Sequence, residues 1–505
     1  MNSRAKKILL VLLAAGLLVG VFFVQRAMNR DRERLGLTRA EPLENAPPVL
    51  AFTTVALGGF RGLIANALWI RANNLQEEDK FFEAAQLADW ITKLEPHFVQ
   101  VWIFQEWNMA WNISVKFKDF DDRWRWVQRG ITLLRDEGLK YNPNEVLLYR
   151  ELAWIFQNKI GANLDDASWH YKRAWFEEMT KVLGPSRPNY NELLNPQTDE
   201  AKARAQTLRE KYKLEPAFMK QVDDLHGPLE WRLPEAHAIY WAEKGLAKAK
   251  ENPTKVKGEE LIQLHRVIYQ SMQLTLYRGR LVAGKFDFGP NLEIIRKASD
   301  AYQQAMEEDA ENRNNISRAY RNVLRDAVYF LYQYNRTREA AEWYKFLSAK
   351  FPGDPILEGK PDSLPATLTL EEYCVARVQL DINETNRDKV KAAIEGRLAD
   401  SYYNLAIGED DRAAGFRRLA RVVWEAYQRK IPAERQAATG QPPFEDIDKE
   451  VRDSLLDPQG IASPEFRAIL RNKLGMKPEE TPTPAPTNAP SPTVTTTNAQ
   501  PAEAH

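Results

Sequence analysis

The chain has a single cysteine, Cys374, so it cannot close a disulfide on itself, and a thiolate zinc cage or an iron–sulfur site is beyond its means. It also lacks net charge. Lysine plus arginine and aspartate plus glutamate each number 70, which leaves no electrostatic footprint for a polyanion, and nucleic acid is not an expected partner. No glycine-rich phosphate loop, nucleophile elbow, HExxH or CxxC occurs. The usual chemical signatures are therefore absent, and no cofactor is expected. What remains is a body of 505 residues, 44% apolar, with 14 tryptophans confined to positions 69 to 424. That is ample material for a large buried core rich in aromatic mass.

One apolar run is long enough to matter for membranes. Ile8 to Val24 is uninterrupted, preceded by Arg4, Lys6 and Lys7 in a short basic tail (1–7) and followed by Arg26, Arg30, Arg32 and Arg34. Seventeen residues just reach the length that crosses a bilayer, and no small-x-small cleavage site follows, so 8–24 is expected to be a retained signal anchor. A short basic N-terminus stays on the cytoplasmic side, which places the body across the membrane. A second stretch, Val49 to Ile70, carries Arg61. A central charge costs about 2.5–3.5 kcal/mol in a lipid-exposed helix, so this stretch is expected to be a buried helix of the body. Residues 25–48 read as a linker. At the far end 478–505 is dominated by Pro, Thr and Ala, a composition that cannot bury a core and reads as a disordered tail.

Between these ends a helical spacing recurs. Leu68, Ala72, Leu75, Ala84, Ala88, Ile91 and Pro96 form one unit; small residues let two helices approach, bulky ones fill the seam, and proline ends the second helix. Tyr149, Leu152, Ala153 and Phe156, then Ala167, Tyr171 and Ala174, form another with an expanded turn at Asn158–Asp166. Between them lies a unit with Trp102 and Met109, closed by Pro143. Leu324, Val328, Leu331, Ala340, Tyr344, Leu347 and Pro352 repeat the pattern, and 392–428 offers a further pair with Ala413 and Ala420. Helices without this register are expected at 234–250, where Glu243 interrupts the apolar stripe and leaves a short buried face, and at 258–275 and 291–309. The domain reading is repeats over 49–184, an irregular helical middle over 185–312, repeats and helices over 313–430, and short helices over 431–477.

These units resemble the tetratricopeptide repeat superfamily, and anchor, repeats and low-complexity tail together resemble uncharacterised membrane-anchored repeat proteins of bacteria. The resemblance implies an all-α, right-handed solenoid, anchored in an inner membrane with its body on the periplasmic side. It also implies protein recognition on a concave face lined by the first helix of each unit. Carried over position by position, that face takes Asn66, Trp69, Asn73, Gln76 and Glu77 from the first unit. Gln100, Ile103, Trp107, Ala110 and Trp111 come from the second, and Leu147, Arg150, Trp154, Gln157 and Asn158 from the third. The unit from Arg321 contributes Asn322, Arg325, Tyr329, Tyr332 and Gln333. Aromatic and arginine residues are those that dominate protein-binding hot spots. For the carboxylate clamp found in some members the set is incomplete, because Trp69 and Glu151 stand where its lysine and arginine would be.

One cluster invites a catalytic reading. Asp223, Asp224, His226, Glu235 and His237 place two imidazoles and three carboxylates within 15 residues, a donor set suited to a divalent metal and a hydrolase. Their spacing argues against it. Glu235 and His237 point about 200° apart on a helix, and His226 precedes a Gly–Pro turn. The expected function is thus a non-enzymatic scaffold for protein partners. The alternatives are that hydrolase and a self-associating structural component of the envelope.

Overall fold

The computed structural model describes residues 16–17, 19–28, 30–31, 60–253, 256–281, 286, 288–382, 387–431, 440–460 and 462–478. The expected anchor at 8–24 falls mostly outside this set; its described part, 16–17 and 19–24, is helical. Among the described residues no helix is long and apolar enough to cross a membrane. Most of the expected linker and all but Pro478 of the expected tail also lie outside. The described chain is all-helical apart from one two-stranded antiparallel ribbon, Arg280–Leu281 with Phe288–Gly289. It divides into two compact units meeting at residues 377 and 378.

The first unit begins with a helical hairpin, α1 (Phe60–Glu77) and α2 (Phe81–Leu94). α3 (Val99–Trp107) and α4 (Phe120–Thr132) follow, then α5 (Val146–Trp154) and α6 (Ser168–Leu183). Three of these helices change pitch. α3 runs into a π-helical stretch at Asn108–Ile113, α4 at Leu133–Gly138 and α5 at Ile155–Gly161. A π turn holds an extra residue, so every later side chain leaves the register that an α-helix would give it.

Short helices α7 (Tyr190–Leu194), α8 (Asp199–Glu210) and α9 (Pro216–His226) lead to α10 (Pro234–Glu251) and α11 (Gly258–Arg278). The side chains of Asn189 and Thr198 cap α7 and α8 by accepting backbone N–H bonds, and Pro216 sits in the first turn of α9. α10 departs from expectation. Its buried face is not short: every residue from Pro234 to Ala242 is buried, because aromatic side chains of α5, α6 and α9 close around it. α12 (Ile295–Glu308), the hairpin α13 (Arg313–Gln333) and α14 (Thr337–Lys350), and the start of α15 (Leu370–Ile382) complete the unit.

One turn recurs. α1 passes to α2 through Asp79 at φ 59°, and α13 to α14 through Asn335 at φ 61°. In each the next residue donates its N–H five positions back, Lys80 to Leu75 (2.8 Å) and Arg336 to Leu331 (2.9 Å). The second unit has the same device between α16 (Arg387–Ala406) and α17 (Asp410–Lys430): Gly408 at φ 84° and Glu409 N–H on Asn404 (2.9 Å). Asp, Asn and Gly are the residues that tolerate this left-handed backbone, and the bond satisfies a carbonyl that the helix end leaves open. Five residues past each left-handed residue stands a buried alanine, Ala84, Ala340 or Ala413. The second unit closes with α18 (Phe444–Leu456) and α19 (Pro464–Lys473), packed around Tyr402, Ala406, Leu456 and Leu470.

Candidate functional site

α3, its π stretch and α5 bring three of the expected groove residues together. The rings of Trp107, Trp111 and Trp154 form one cluster with centroids 5.1, 5.4 and 5.0 Å apart. Trp107 is the most open at 39% exposure; the other two are half-buried. Trp69 sits against Phe98 and Phe104 at 5.4 and 4.9 Å, half-buried, with Asn73 and Gln76 following on the same helix, also half-buried. Arg150, half-buried, forms an ion pair with Glu151 at 2.9 Å.

Beneath the tryptophans lies a charged layer. Glu106 is buried with one carboxylate oxygen lacking a hydrogen-bond partner. Burial, then the neighbouring charge of Glu151, pushes its carboxyl well above the usual range against the pull of Arg150 and Lys159. Burial raises Glu151 as well, with Arg150 opposing. The Lys159 ammonium lies 4.8 Å from the Trp111 ring centroid and bonds Asp165 at 2.5 Å. Asp165 organises the expanded turn before α6: its carboxylate also accepts the Ala167 N–H (2.8 Å), the Tyr171 hydroxyl (3.2 Å) and Arg123 (3.3 Å). Burial works against its charge, but Lys159, then the Ala167 N–H, hold its carboxyl below the usual range.

A second buried network adjoins it. Lys172 donates to Asn163 Oδ1 (2.8 Å) and the Ala162 carbonyl (3.3 Å). Burial, then the charge of Arg278, pushes its ammonium down to about 8, with Glu235 opposing. Arg278 is the link, bonding Glu235 at 2.9 Å through Nε and donating to the Gly161 carbonyl at the end of the π stretch.

The acid–imidazole cluster is not brought together. Asp223 accepts from Leu229 N–H (2.8 Å), Trp231 Nε1 (3.3 Å) and Arg187 (2.8 Å), while Asp224 pairs with Lys220 at 2.5 Å. His226 meets Glu243 at 2.7 Å, and Glu235 is held by Arg278. His237 donates from Nε2 to the Trp231 carbonyl at 2.8 Å, and burial pushes its imidazole down to about 4. Among the described residues no group of three or more His, Cys, Asp or Glu side chains is placed to hold a metal ion. His226 and Glu243 instead line a cavity of about 630 Å³ among α9 to α12, with an apolar floor from Leu246, Ala249 and Ile268.

Four groove assignments need correcting, the first being Ala110, which lies in the π stretch of α3 and is buried. Gln157 falls in the π stretch of α5, is buried, and spends its amide on the Val267 carbonyl (3.0 Å) and Ser271 Oγ (3.1 Å) of α11. Tyr329 and Tyr332 are buried as well, with the Arg377 guanidinium 5.1 Å from the Tyr329 ring centroid. Their helix turns these rings toward its neighbours, so they belong to the core. Arg325 does face a cavity, in the company of Arg318 and Arg321. Glu106, Lys159 and Lys172 escape a reading from sequence, since a lone charge in an amphipathic helix reads as solvated. The i, i+3, i+7 spacing of Arg318, Arg321 and Arg325 is the signal that could have been read. No family model, curated protein or solved structure matches this chain.

Proposed function

We propose that this chain is a tetratricopeptide-like scaffold, tethered to a membrane by residues 8–24 with its body on the periplasmic side. It holds a protein partner and performs no chemistry of its own. The observation that carries the reading is the tryptophan cluster at 107, 111 and 154. It is partly open to solvent, built on two neighbouring first helices, flanked by Arg150, and fixed from below by charged groups whose partners are internal. Rigid aromatic anchors beside an arginine lose little entropy on docking and suit a polypeptide segment that offers apolar side chains. The recurrent left-handed turn at Asp79, Asn335 and Gly408, each followed by a buried alanine, supports a repeat origin for the hairpins.

The test uses the full chain in its membrane with the photocrosslinking residue p-benzoylphenylalanine in place of Trp107 or, as control, of Trp90, which is 47% exposed on α2. A discrete adduct at 107, absent at 90 and lost when Arg150→Ala is added, is the expected result. Equal adducts at both positions, or none at 107 in a folded protein, refute the assignment. Protease access to the body in intact and opened cells tests the topology.

A further inference from the structure

A cavity of about 500 Å³ opens between α13 and the loop that follows α14. Three arginines of α13 line it, Arg318, Arg321 and Arg325, spaced so that successive helical turns present them to one side. The loop adds Lys360 and Glu358. Arg321 is paired with Asp354 at 2.9 Å, and Arg325 donates to Asn322 Oδ1 at 3.0 Å. The Nε atoms of both arginines are buried with no acceptor, a cost that a turn of either guanidinium toward an acceptor in the cavity would relieve. Four cations, Arg318, Arg321, Arg325 and Lys360, face two anions, Asp354 and Glu358, so the excess at the cavity is two positive charges.

The wall opposite the arginines is held in shape. Ser363 Oγ accepts the Leu357 N–H at 3.0 Å and donates to the Lys360 carbonyl at 2.6 Å, while the Ile356 N–H reaches the Ser363 carbonyl at 2.8 Å. Gly359 turns between them at φ 69°, a conformation that side chains disfavour. The loop is thus closed on itself by its own backbone, and ligand binding need not order it.

We propose that this cavity binds a dianionic phosphate group, carried either by free phosphate or by a lipid headgroup. A phosphate brings about −1.5 to −2 charge at neutral pH and three strong acceptor oxygens, which matches the excess charge and the unfilled donors. The planar arginine fork is the side chain best matched to it. A single carboxylate leaves one excess charge at the cavity. The site is independent of the tryptophan face, so either assignment can fail alone.

Calorimetric titration of the full chain in detergent tests it, with three probes: inorganic phosphate, dihexanoyl phosphatidic acid and dihexanoyl phosphatidylcholine. Saturable binding of phosphate, weakened at least tenfold by Arg321→Gln with Arg325→Gln and unaffected by Arg338→Gln on the exposed part of α14, is the expected result. Arg321→Lys with Arg325→Lys keeps the charge but removes the fork, and an intermediate loss is expected if the glutamine pair fails to fold. Phosphatidic acid binding tenfold more tightly than phosphate assigns the lipid source; equal affinity assigns free phosphate. Absence of binding by both, equal binding of phosphatidylcholine, or binding indifferent to the arginines overturns the proposal.

Discussion

Replacing Lys172 by methionine should change how stability responds to alkali. The ammonium has an ordinary value of 10.5 and is pushed down to about 8 in the folded protein, chiefly by burial. That gap of about 2.5 pH units corresponds to about 3 kcal/mol, at about 1.4 kcal/mol per unit. The sign follows from proton counting. Below pH 8 the lysine is charged in both folded and unfolded chains, and the folded state bears the whole cost. Between about 8 and 10.5 the unfolded chain holds the proton and the folded one releases it, so stability rises with pH. From pH 7 to 9.5 the wild type should therefore gain about 2 kcal/mol relative to Lys172→Met. The methionine variant also loses bonds to Asn163 and Ala162, but that loss does not vary with pH. Taking the difference between the two proteins also cancels the titration of the buried tyrosines. Urea unfolding of the full chain followed by tryptophan emission is a suitable assay, since every tryptophan except Trp424 lies in the first unit. A difference between the two proteins that stays flat from pH 7 to 9.5 would mean that Lys172 is not desolvated, and the account of the network around Glu235 and Arg278 would fall with it.

Two further outcomes follow from buried hydrogen bonds. Gln157→Leu removes the bonds to Ser271 Oγ and to the Val267 carbonyl, which keeps its own helical bond, and should lower stability by about 1 kcal/mol, read as a lower urea midpoint, while crosslinking at position 107 is retained; lost crosslinking at unchanged stability would return Gln157 to the groove. In the second unit Arg417 grips Asp448 with two bonds of 2.7 and 2.6 Å, and Tyr402 adds a third at 2.9 Å. Arg417→Ala should cost about 2 kcal/mol and reduce hydrogen-exchange protection across 444–456, and unchanged protection there would show that the pair contributes nothing.

How much of this was visible in the residues depends on the physical signal each feature leaves. The hairpins 60–94 and 313–350 could be read because small residues recur where helices touch, and Ala72, Ala84, Ala88 and Ala340 are all fully buried. Helix α8 left almost no signal: its buried stripe is only Ala201, Ala205 and Leu208 in a segment otherwise full of charge. The π stretches were invisible in principle, because a reading at 3.6 residues per turn assumes the pitch that they break. That is why a reading at the ordinary pitch puts Gln157 on the wrong face. Tyr329, Tyr332 and Trp107 are equally aromatic, and only the packing of elements distant in sequence decides which are covered. The complete burial of Pro234–Ala242 has the same origin, since the rings around it come from helices that precede it by up to about ninety residues.

The clearest separation between a core and a metal-site reading of the acid–imidazole cluster comes from His237. Its Nε2 donates to the Trp231 carbonyl, and the rings of Phe156, Trp175 and Trp231 enclose it at centroid distances of 5.2, 4.8 and 5.9 Å. Burial takes its value from 6.5 down to about 4, so on acidification the unfolded chain binds a proton that the folded chain refuses. Stability should then fall between pH 6.5 and 4, by about 2 kcal/mol from pH 7 to 4.5 relative to His237→Gln, whose amide can still donate to Trp231. A histidine that ligates a metal behaves differently: zinc competes with protons, and adding it would shift the acid transition of the wild type to lower pH and leave the glutamine variant alone. A core histidine gives no such shift, because the carbonyl, not a cation, fixes its tautomer. An acid transition moved by zinc in the wild type but not in His237→Gln would refute the core assignment and restore the hydrolase reading of this segment.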